Sequence, residues 1–150
     1  MFSPTATMIS PSPEDRAPTV HHPMAPLDLV ADADAQHARQ LRIALQNWLQ
    51  AVGVERSLRD DLTLAAYEAL ANVVEHAYPP DHPRPVMRLV ARLHQDSLLI
   101  TVADQGRWRP PSTEASYRGR GLTVMHALTT DTQLEHTACG TKVHLRAGQR

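Results

Sequence analysis

After about the first 25 residues, the spacing of apolar residues predicts a short strand and then a helix. Leu27, Leu29 and Ala31 alternate with polar neighbours, which is the pattern of a strand with one covered face. Over residues 33–52 the apolar positions instead recur every three or four residues and form a helical stripe. Gly53 is a natural end for this helix, because glycine is common just after a helix terminus.

A second helix is predicted over residues 57–80. Ser57 and Asp60 form a start that resembles a capping box, and Pro79 and Pro80 end the pattern. One face of this helix is apolar and is expected to join the core; it consists of Leu62, Ala65, Ala66, Ala69, Val73 and Ala77.

Downstream, the pattern predicts four strands and one further helix. Residues 86–93 and 98–103 predict a hairpin with one covered face, which turns at Gln95 and Asp96. A polar loop over residues 107–118 and a helix from about residue 122 come next. Residues 132–137 and 142–145 predict two final strands that turn at Cys139 and Gly140.

This order of elements predicts an α+β fold. It is a two-layer α/β sandwich in which helices pack on one face of a mostly antiparallel sheet. Residues 1–25 are rich in Pro, Ser and Thr, so they are expected to form a disordered tail that cannot offset its ordering entropy. Residues 26–147 are expected to form a single folded domain.

Composition and charge exclude several classes of protein. The 150 residues carry 15 basic and 16 acidic side chains, and no basic stripe indicates direct binding of nucleic acid. Apolar runs are too short to predict a membrane span, and no secretory signal is expected, because no basic start followed by an apolar block opens the sequence. The single cysteine, Cys139, excludes an intrachain disulfide and fits a cytoplasmic protein. The nine histidines lack the spacing of a transition-metal site.

Candidate chemistry on the second helix is concentrated in Glu68, Asn72 and His76. These residues are spaced by four and therefore share one stripe of the helix. A solvated polar stripe would explain the glutamate and the histidine. Asn72 is harder to explain in that way, because asparagine is a mediocre helix former. A carboxylate one turn from a carboxamide can place a general base beside a ligand for a hard cation.

Two glycine-containing turns add to this pattern. Asp104 ends an apolar strand, where its carboxylate can accept a hydrogen bond from an exocyclic amine, and Gly106 lets the backbone approach a flat ring. Gly119 and Gly121 precede a helix whose free N–H groups suit phosphates. Each turn alone is also typical of an ordinary loop. Their order behind the second helix, with a Gly-Thr pair at residues 140–141, is the specific signal.

The ordered set of motifs resembles the Bergerat ATPase superfamily of gyrase, the MutL repair proteins and histidine kinases. YEALANVVEHAYPP is similar to the N box, VADQGRW to the first glycine box, RGRGLTVMHAL to the second, and CGTKVHL to the closing strand. Within the superfamily, the chain looks like the anti-sigma-factor serine/threonine kinases of the RsbW and SpoIIAB type over residues 27–145. It departs from them at Arg107-Trp108, where the first box often has a second glycine, at Cys139 in place of a glycine, and in a short lid over residues 107–118.

The resemblance implies a role for each matching residue. Asn72 would hold Mg²⁺ together with the phosphates of ATP, and Glu68 would orient or deprotonate the attacking hydroxyl group. Asp104 would read the adenine amine, with help from Gly106 and Thr141. The residues that would flank the phosphates are Gly119, Arg120 and Gly121.

The function implied is that of an ATP-dependent protein serine/threonine kinase that acts as an anti-sigma factor. It would phosphorylate a STAS-type anti-anti-sigma protein and would otherwise hold a sigma factor. One alternative is an ATP-binding module that gates partner binding without useful catalysis. A second, a histidine-kinase module, fits less well because a Pro-rich tail rather than a dimerisation helix pair lies upstream. Members of the family commonly form homodimers through the sheet side, and the sequence alone does not decide this.

Overall fold

In the part of the chain that the structure describes, the fold is one antiparallel sheet covered by two helices. The computed structural model describes residues 24–106, 129 and 131–148. The predicted lid and third helix, over residues 107–128, and residues 1–23 of the predicted tail lie outside these ranges. The elements, in chain order, are β1 (Leu27–Asp32), α1 (Ala35–Ala51), α2 (Arg56–Asn72), a π-helical turn (Val73–Ala77), β2 (Val86–His94), β3 (Ser97–Asp104), β4 (Asp131–Thr137) and β5 (Gly140–Gly148).

The strands form a five-stranded sheet in the order β1-β2-β3-β5-β4, and each neighbouring pair is antiparallel. Both helices pack on one side of this sheet, so the predicted α+β sandwich is confirmed. Within the described part of the chain, neither helix is long and apolar enough to cross a membrane.

The hydrophobic core lies between the helices and one face of the sheet. On β3, strand alternation turns Leu98, Ile100 and Val102 towards the helices, and all three are buried. Leu45 and Leu49 of α1 are 0% exposed and belong to the same cluster. The predicted apolar stripe of α2 is also buried throughout, which confirms that face. Three of its positions within α2 are alanines, whose small size allows close packing against the neighbouring elements.

Helix α2 begins with a different cap from the predicted one. Glu55 is the N-cap, and its carboxylate accepts hydrogen bonds from the N–H groups of Ser57 at 3.0 Å and Leu58 at 3.2 Å. These two backbone hydrogen bonds lower the pKa of Glu55. The predicted start at Ser57 with Asp60 is therefore wrong, because the glutamate two residues earlier already occupies the free N–H groups.

The end of α2 and the last turn also differ from the prediction. After Asn72 the chain continues as the π-helical turn, and Tyr78 is already extended. The predicted hairpin at Gln95 is confirmed, since His94 pairs with Ser97. In the second hairpin Thr137 pairs with Gly140, so the turn occupies residues 138–139 and lies one residue earlier than predicted.

Candidate functional site

Asp104 is a buried carboxylate at the end of β3, on the face that the helices cover. Its Oδ1 accepts a hydrogen bond from the N–H of Gly106 at 3.0 Å. Burial raises the pKa of the Asp104 carboxyl group, and the N–H groups of Gly106 and Thr141 and the charge of His136 partly offset this rise. A buried carboxylate with some acceptor capacity left is suited to a ligand that donates hydrogen bonds.

Two glycines allow the backbone to pack closely around Asp104. A Cβ atom at Gly106 would lie 2.0 Å from the carbonyl oxygen of Ala77, and one at Gly140 would lie 2.0 Å from the carbonyl oxygen of Asp104. Gly140 also has a φ of 142°, which side chains rarely allow. Gly106 was predicted to admit a flat ring. That role stays a prediction; in the structure, the missing side chain of Gly106 admits the carbonyl oxygen of Ala77, the last residue of the π-helical turn.

Thr141 lies beside Asp104 on the neighbouring strand, where the two residues are paired. It is buried, and its Oγ1 is 3.2 Å from Nδ1 of His136. The structure thus brings three predicted site residues, Asp104, Gly106 and Thr141, into one corner of the fold. The predicted phosphate-flanking residues Gly119, Arg120 and Gly121 lie outside the described residues.

Glu68 and Asn72 lie one helical turn apart near the end of α2, and both are half-buried. The π-helical turn Val73–Ala77 follows Asn72 directly, and Glu68 lies roughly 6 Å further from it along α2 at about 1.5 Å per residue. Because Ala77 abuts Gly106, the order Ala77, Asn72, Glu68 along this helical segment leads away from the Asp104 corner. This order matches what a nucleotide needs, with its base at one end and its phosphates at the other.

His76 does not continue this stripe with regular helical spacing. It lies in the π-helical turn, which has wider turns than an α-helix and therefore changes the direction of the side chain. Its Nε2 is 3.4 Å from a carboxylate oxygen of Glu75. The pair that keeps the predicted spacing is Glu68 and Asn72.

The donor chemistry of Asn72 fits Mg²⁺ that arrives with a nucleotide. Mg²⁺ usually keeps several waters and takes only one or two protein ligands beside substrate phosphates, so a single half-buried carboxamide is sufficient. Asp32, Asp34 and His37 also come within 4.8 Å of one another. That cluster is explained as a helix cap, because Asp34 accepts hydrogen bonds from the backbone N–H of His37 at 2.8 Å and pairs with its ring at 2.7 Å.

Tyr78 is a site residue that the sequence did not single out. Its hydroxyl group donates a hydrogen bond to the carbonyl oxygen of Val86 and accepts one from the N–H of Gln105 at 2.8 Å. Gln105 lies between Asp104 and Gly106, so Tyr78 contacts the same corner. The available signal was a tyrosine close to the end of the predicted helix, just before its two prolines, but an aromatic residue there is equally consistent with core packing.

A cavity of 420 Å³ lies close to this corner but opens on the other face of the sheet. Asp104 borders it, but much of its lining comes from outward-facing side chains such as Val30, Arg88, Ala103 and Lys142. The cavity is therefore a feature of the outer sheet face, whereas the Asp104 side chain is directed to the helix side.

The fold and a match to a family model together define the class of the protein. Residues 31–147 match the model of the histidine kinase-like ATPase domain, and the chain belongs to that family. Membership confirms the resemblance to the superfamily and implies nucleotide binding, for which Mg²⁺ is the usual metal in such ATPases.

Solved structures show the same fold. The RsbU and RsbW domains of Rv1364c from Mycobacterium tuberculosis match with a TM-score of 0.70 and 29% identity, over 85% of this chain and 33% of that one. The chain thus spans one third of the length of that structure. The SiaB-SiaC complex from Pseudomonas aeruginosa matches with a TM-score of 0.55 and 14% identity, over 81% and 88% of the two chains. A blue-light activated histidine kinase from Erythrobacter litoralis matches in its kinase domain with a TM-score of 0.52 and 17% identity, over 76% and 60%. The last two likenesses show the fold alone.

Proposed function

We propose that this chain is an ATP-dependent protein serine/threonine kinase that acts as an anti-sigma factor in the cytoplasm. Its substrate is a STAS-type anti-anti-sigma protein, and its other partner is a sigma factor. The observation that carries the proposal is the corner formed by Asp104, Gly106 and Thr141, in line with Glu68 and Asn72 on α2. Family membership and the likeness to a structure that contains an RsbW domain support it.

The proposed roles combine the positions of the described residues with the resemblance to the family. Asp104 accepts a hydrogen bond from the exocyclic amine of adenine, since an ionised carboxylate can only accept. Thr141 borders the same ring, directly or through a water molecule. Asn72 holds Mg²⁺, which when bound neutralises charge on the phosphates. The phosphates themselves are flanked by Gly119, Arg120 and Gly121.

Glu68 is the proposed catalytic residue because it lies at the far end of this line from the adenine corner. A carboxylate there faces the terminal phosphate and can orient or deprotonate the serine or threonine hydroxyl group of the substrate. Positioned help of this kind contributes about 10²–10⁴-fold to a rate. Glu68 makes no contact with the base in this arrangement, so its loss affects phosphoryl transfer more than binding.

The test is a phosphoryl-transfer assay with labelled ATP, Mg²⁺ and the STAS-type protein encoded nearest to this chain. Glu68→Ala is expected to lower transfer by about 10²–10⁴-fold while the ATP dissociation constant changes by less than about threefold. The matched control is Glu75→Ala, which removes an exposed carboxylate from the π-helical turn after α2. This variant should transfer phosphate at close to the wild-type rate. If Glu68→Ala transfers as fast as the wild type, the catalytic assignment is wrong. If the wild type binds ATP but phosphorylates no STAS-type protein, a nucleotide-gated binding module replaces the kinase.

A further inference from the structure

We infer that the hydroxyl group of Tyr78 is a positioning group that holds the turn at residues 104–106 and thereby sets the preference for adenine over purines with a 6-keto group. The inference rests on the proposed function, because it concerns the base that Asp104 reads. It assigns to Tyr78 a role that the motifs of the sequence did not indicate.

The hydroxyl group of Tyr78 joins three segments of the chain. It donates to the carbonyl oxygen of Val86, the first residue of β2, and accepts from the N–H of Gln105, just after β3. Tyr78 itself follows the π-helical turn at the end of α2. One oxygen atom therefore connects the helix layer, the start of one strand and the turn that carries the Asp104 carboxylate.

The turn at residues 104–106 is held from two sides by consecutive residues. Ala77 blocks it sterically, since its carbonyl oxygen occupies the place of a side chain at Gly106. Tyr78 holds the peptide N–H of Gln105, and the Asp104 carboxylate accepts from the N–H of Gly106 within the same turn. Rotation of the Gln105 peptide would therefore move the atoms that orient the carboxylate.

The chemistry of Tyr78 suits this double role. Burial raises the pKa of its hydroxyl group, and the nearby charge of Asp104 acts in the same direction, while the N–H of Gln105 opposes them. The group therefore stays a neutral phenol at neutral pH, which can donate and accept at the same time. The Tyr78 ring packs against the core, and its centroid lies 4.7 Å from that of the His82 ring. The ring is therefore held in place by contacts that do not involve the hydroxyl oxygen.

Base selection is sensitive to this geometry because it depends on a directional hydrogen bond. Adenine presents an amine at its 6-position, whereas hypoxanthine presents a keto oxygen that faces a carboxylate unfavourably. Hydrogen bonds weaken steeply with misalignment. A loosened turn is therefore expected to weaken the hydrogen bond between Asp104 and adenine, while contacts with the sugar and the phosphates change little. Removal of the Tyr78 hydroxyl group is therefore expected to reduce the preference for adenine over hypoxanthine while the domain stays folded.

The experiment compares the full-length wild type with Tyr78→Phe, which keeps the ring and removes only the oxygen. Tyr67→Phe is the matched control, since this tyrosine lies on α2 against Arg42. Hydrogen exchange of the Gln105 amide is measured by NMR without nucleotide, and dissociation constants are measured for ATP and for ITP, which differ at the 6-position. Tyr78→Phe should speed exchange at Gln105 by about tenfold or more and reduce the ATP-to-ITP preference by about tenfold, a difference of one hydrogen bond.

The outcomes separate this inference from the proposed function. Unchanged exchange at Gln105, or an unchanged preference in a variant that binds ATP normally, overturns the role of Tyr78 alone. Absence of ATP binding by the wild type overturns the proposed function and the base preference with it. Equal effects from Tyr67→Phe would show that loss of any tyrosine oxygen near α2 loosens the domain, and this too overturns the assignment. A urea midpoint close to that of the wild type, together with the two expected changes, supports it.

Discussion

Replacement of Gly106 by alanine tests how tightly the loop after β3 packs against the end of the second helix. The added Cβ would lie 2.0 Å from the oxygen, 2.7 Å from the carbon of the Ala77 carbonyl and 3.2 Å from the Ala77 Cβ. The first distance must grow by about 1 Å to reach the 3.0 Å below which real Cβ contacts are essentially never seen. The obstructing atoms are backbone, so no rotamer change can relieve the contact.

The expected cost is large compared with the stability of a domain. Overpacking typically costs about 1–3 kcal/mol, and a backbone obstruction places this variant at the upper end. Displacement of residue 106 also weakens its hydrogen bond to Asp104, which adds about 1 kcal/mol. Gly106→Ala is therefore expected to lower the free energy of unfolding by about 3–4 kcal/mol, a substantial part of the roughly 5–15 kcal/mol of a typical domain.

Urea unfolding, followed by circular dichroism, measures this loss, and two other glycines serve as controls. At Gly148 and at Gly53 an added Cβ meets nothing within 4 Å. Gly148→Ala should have a free energy of unfolding close to that of the wild type. Gly53→Ala should lower the free energy of unfolding by about 1 kcal/mol, because the φ of Gly53 is 84°. A Gly106→Ala variant no less stable than Gly148→Ala would refute the close approach of residue 106 to Ala77.

Three further expectations concern the core, the charge of Asp104 and the N-terminal tail. Leu45→Ala, at a position that is 0% exposed, should cost about 2–5 kcal/mol in urea unfolding, whereas Ile43→Ala on the exposed side should cost less than about 0.5 kcal/mol. Burial raises the pKa of the Asp104 carboxyl group above its ordinary 3.8, so the folded state binds the carboxyl proton more tightly than the unfolded state does. The stabilisation from this proton is therefore complete below pH 3.8 and is lost as the pH rises through the folded pKa. Asp104→Asn should remove that loss and flatten the dependence of the free energy of unfolding on pH in this window. A chain that starts at Met24 keeps the Ala25 carbonyl oxygen, which accepts a hydrogen bond from Trp48 Nε1 at 2.9 Å. It should keep its melting temperature and ATP affinity, because the residues before Met24 offer few core-forming side chains.

Each of these three expectations has a result that contradicts it. Equal costs at Leu45 and Ile43 would contradict the assigned faces of α1. A dependence of stability on pH that Asp104→Asn leaves unchanged would show that other groups cause it. A large loss of stability or affinity on truncation would show that the tail docks on the domain.

Much of the fold could be predicted because strong periodicities decide it. The alternation in β2 and β3 and the helical stripe of α1 each leave only one face to bury, so the layers follow from them. The N-cap of α2 could not be chosen in the same way. Ser57 has the higher general preference for a cap, but Glu55 reaches the free N–H groups from the position that the preceding turn gives it.

The candidate site residues came from motifs in the sequence, whereas their geometry could not be predicted. Asp104 and Thr141 were selected by motif, and strand pairing places them side by side. The π-helical turn and the contact of Gly106 with Ala77 depend on how the helix meets the sheet, which no local pattern encodes. For the same reason, the link through Tyr78 becomes visible only when β2, β3 and the helix end are assembled. Roles for Gly119, Arg120 and Gly121 stay predictions.

The most direct test of the account is a calorimetric titration of the protein with ATP and Mg²⁺. The wild type is compared with Asp104→Ala and with Asp96→Ala, which removes an exposed carboxylate from the turn between β2 and β3. A hydrogen bond to a charged group is worth about 1.5–3 kcal/mol, so Asp104→Ala should weaken ATP binding by at least about tenfold while its circular dichroism spectrum stays that of a folded domain. Asp96→Ala should bind ATP like the wild type. Equal ATP affinity in the wild type and a folded Asp104→Ala variant would contradict the assignment of this corner as the adenine site.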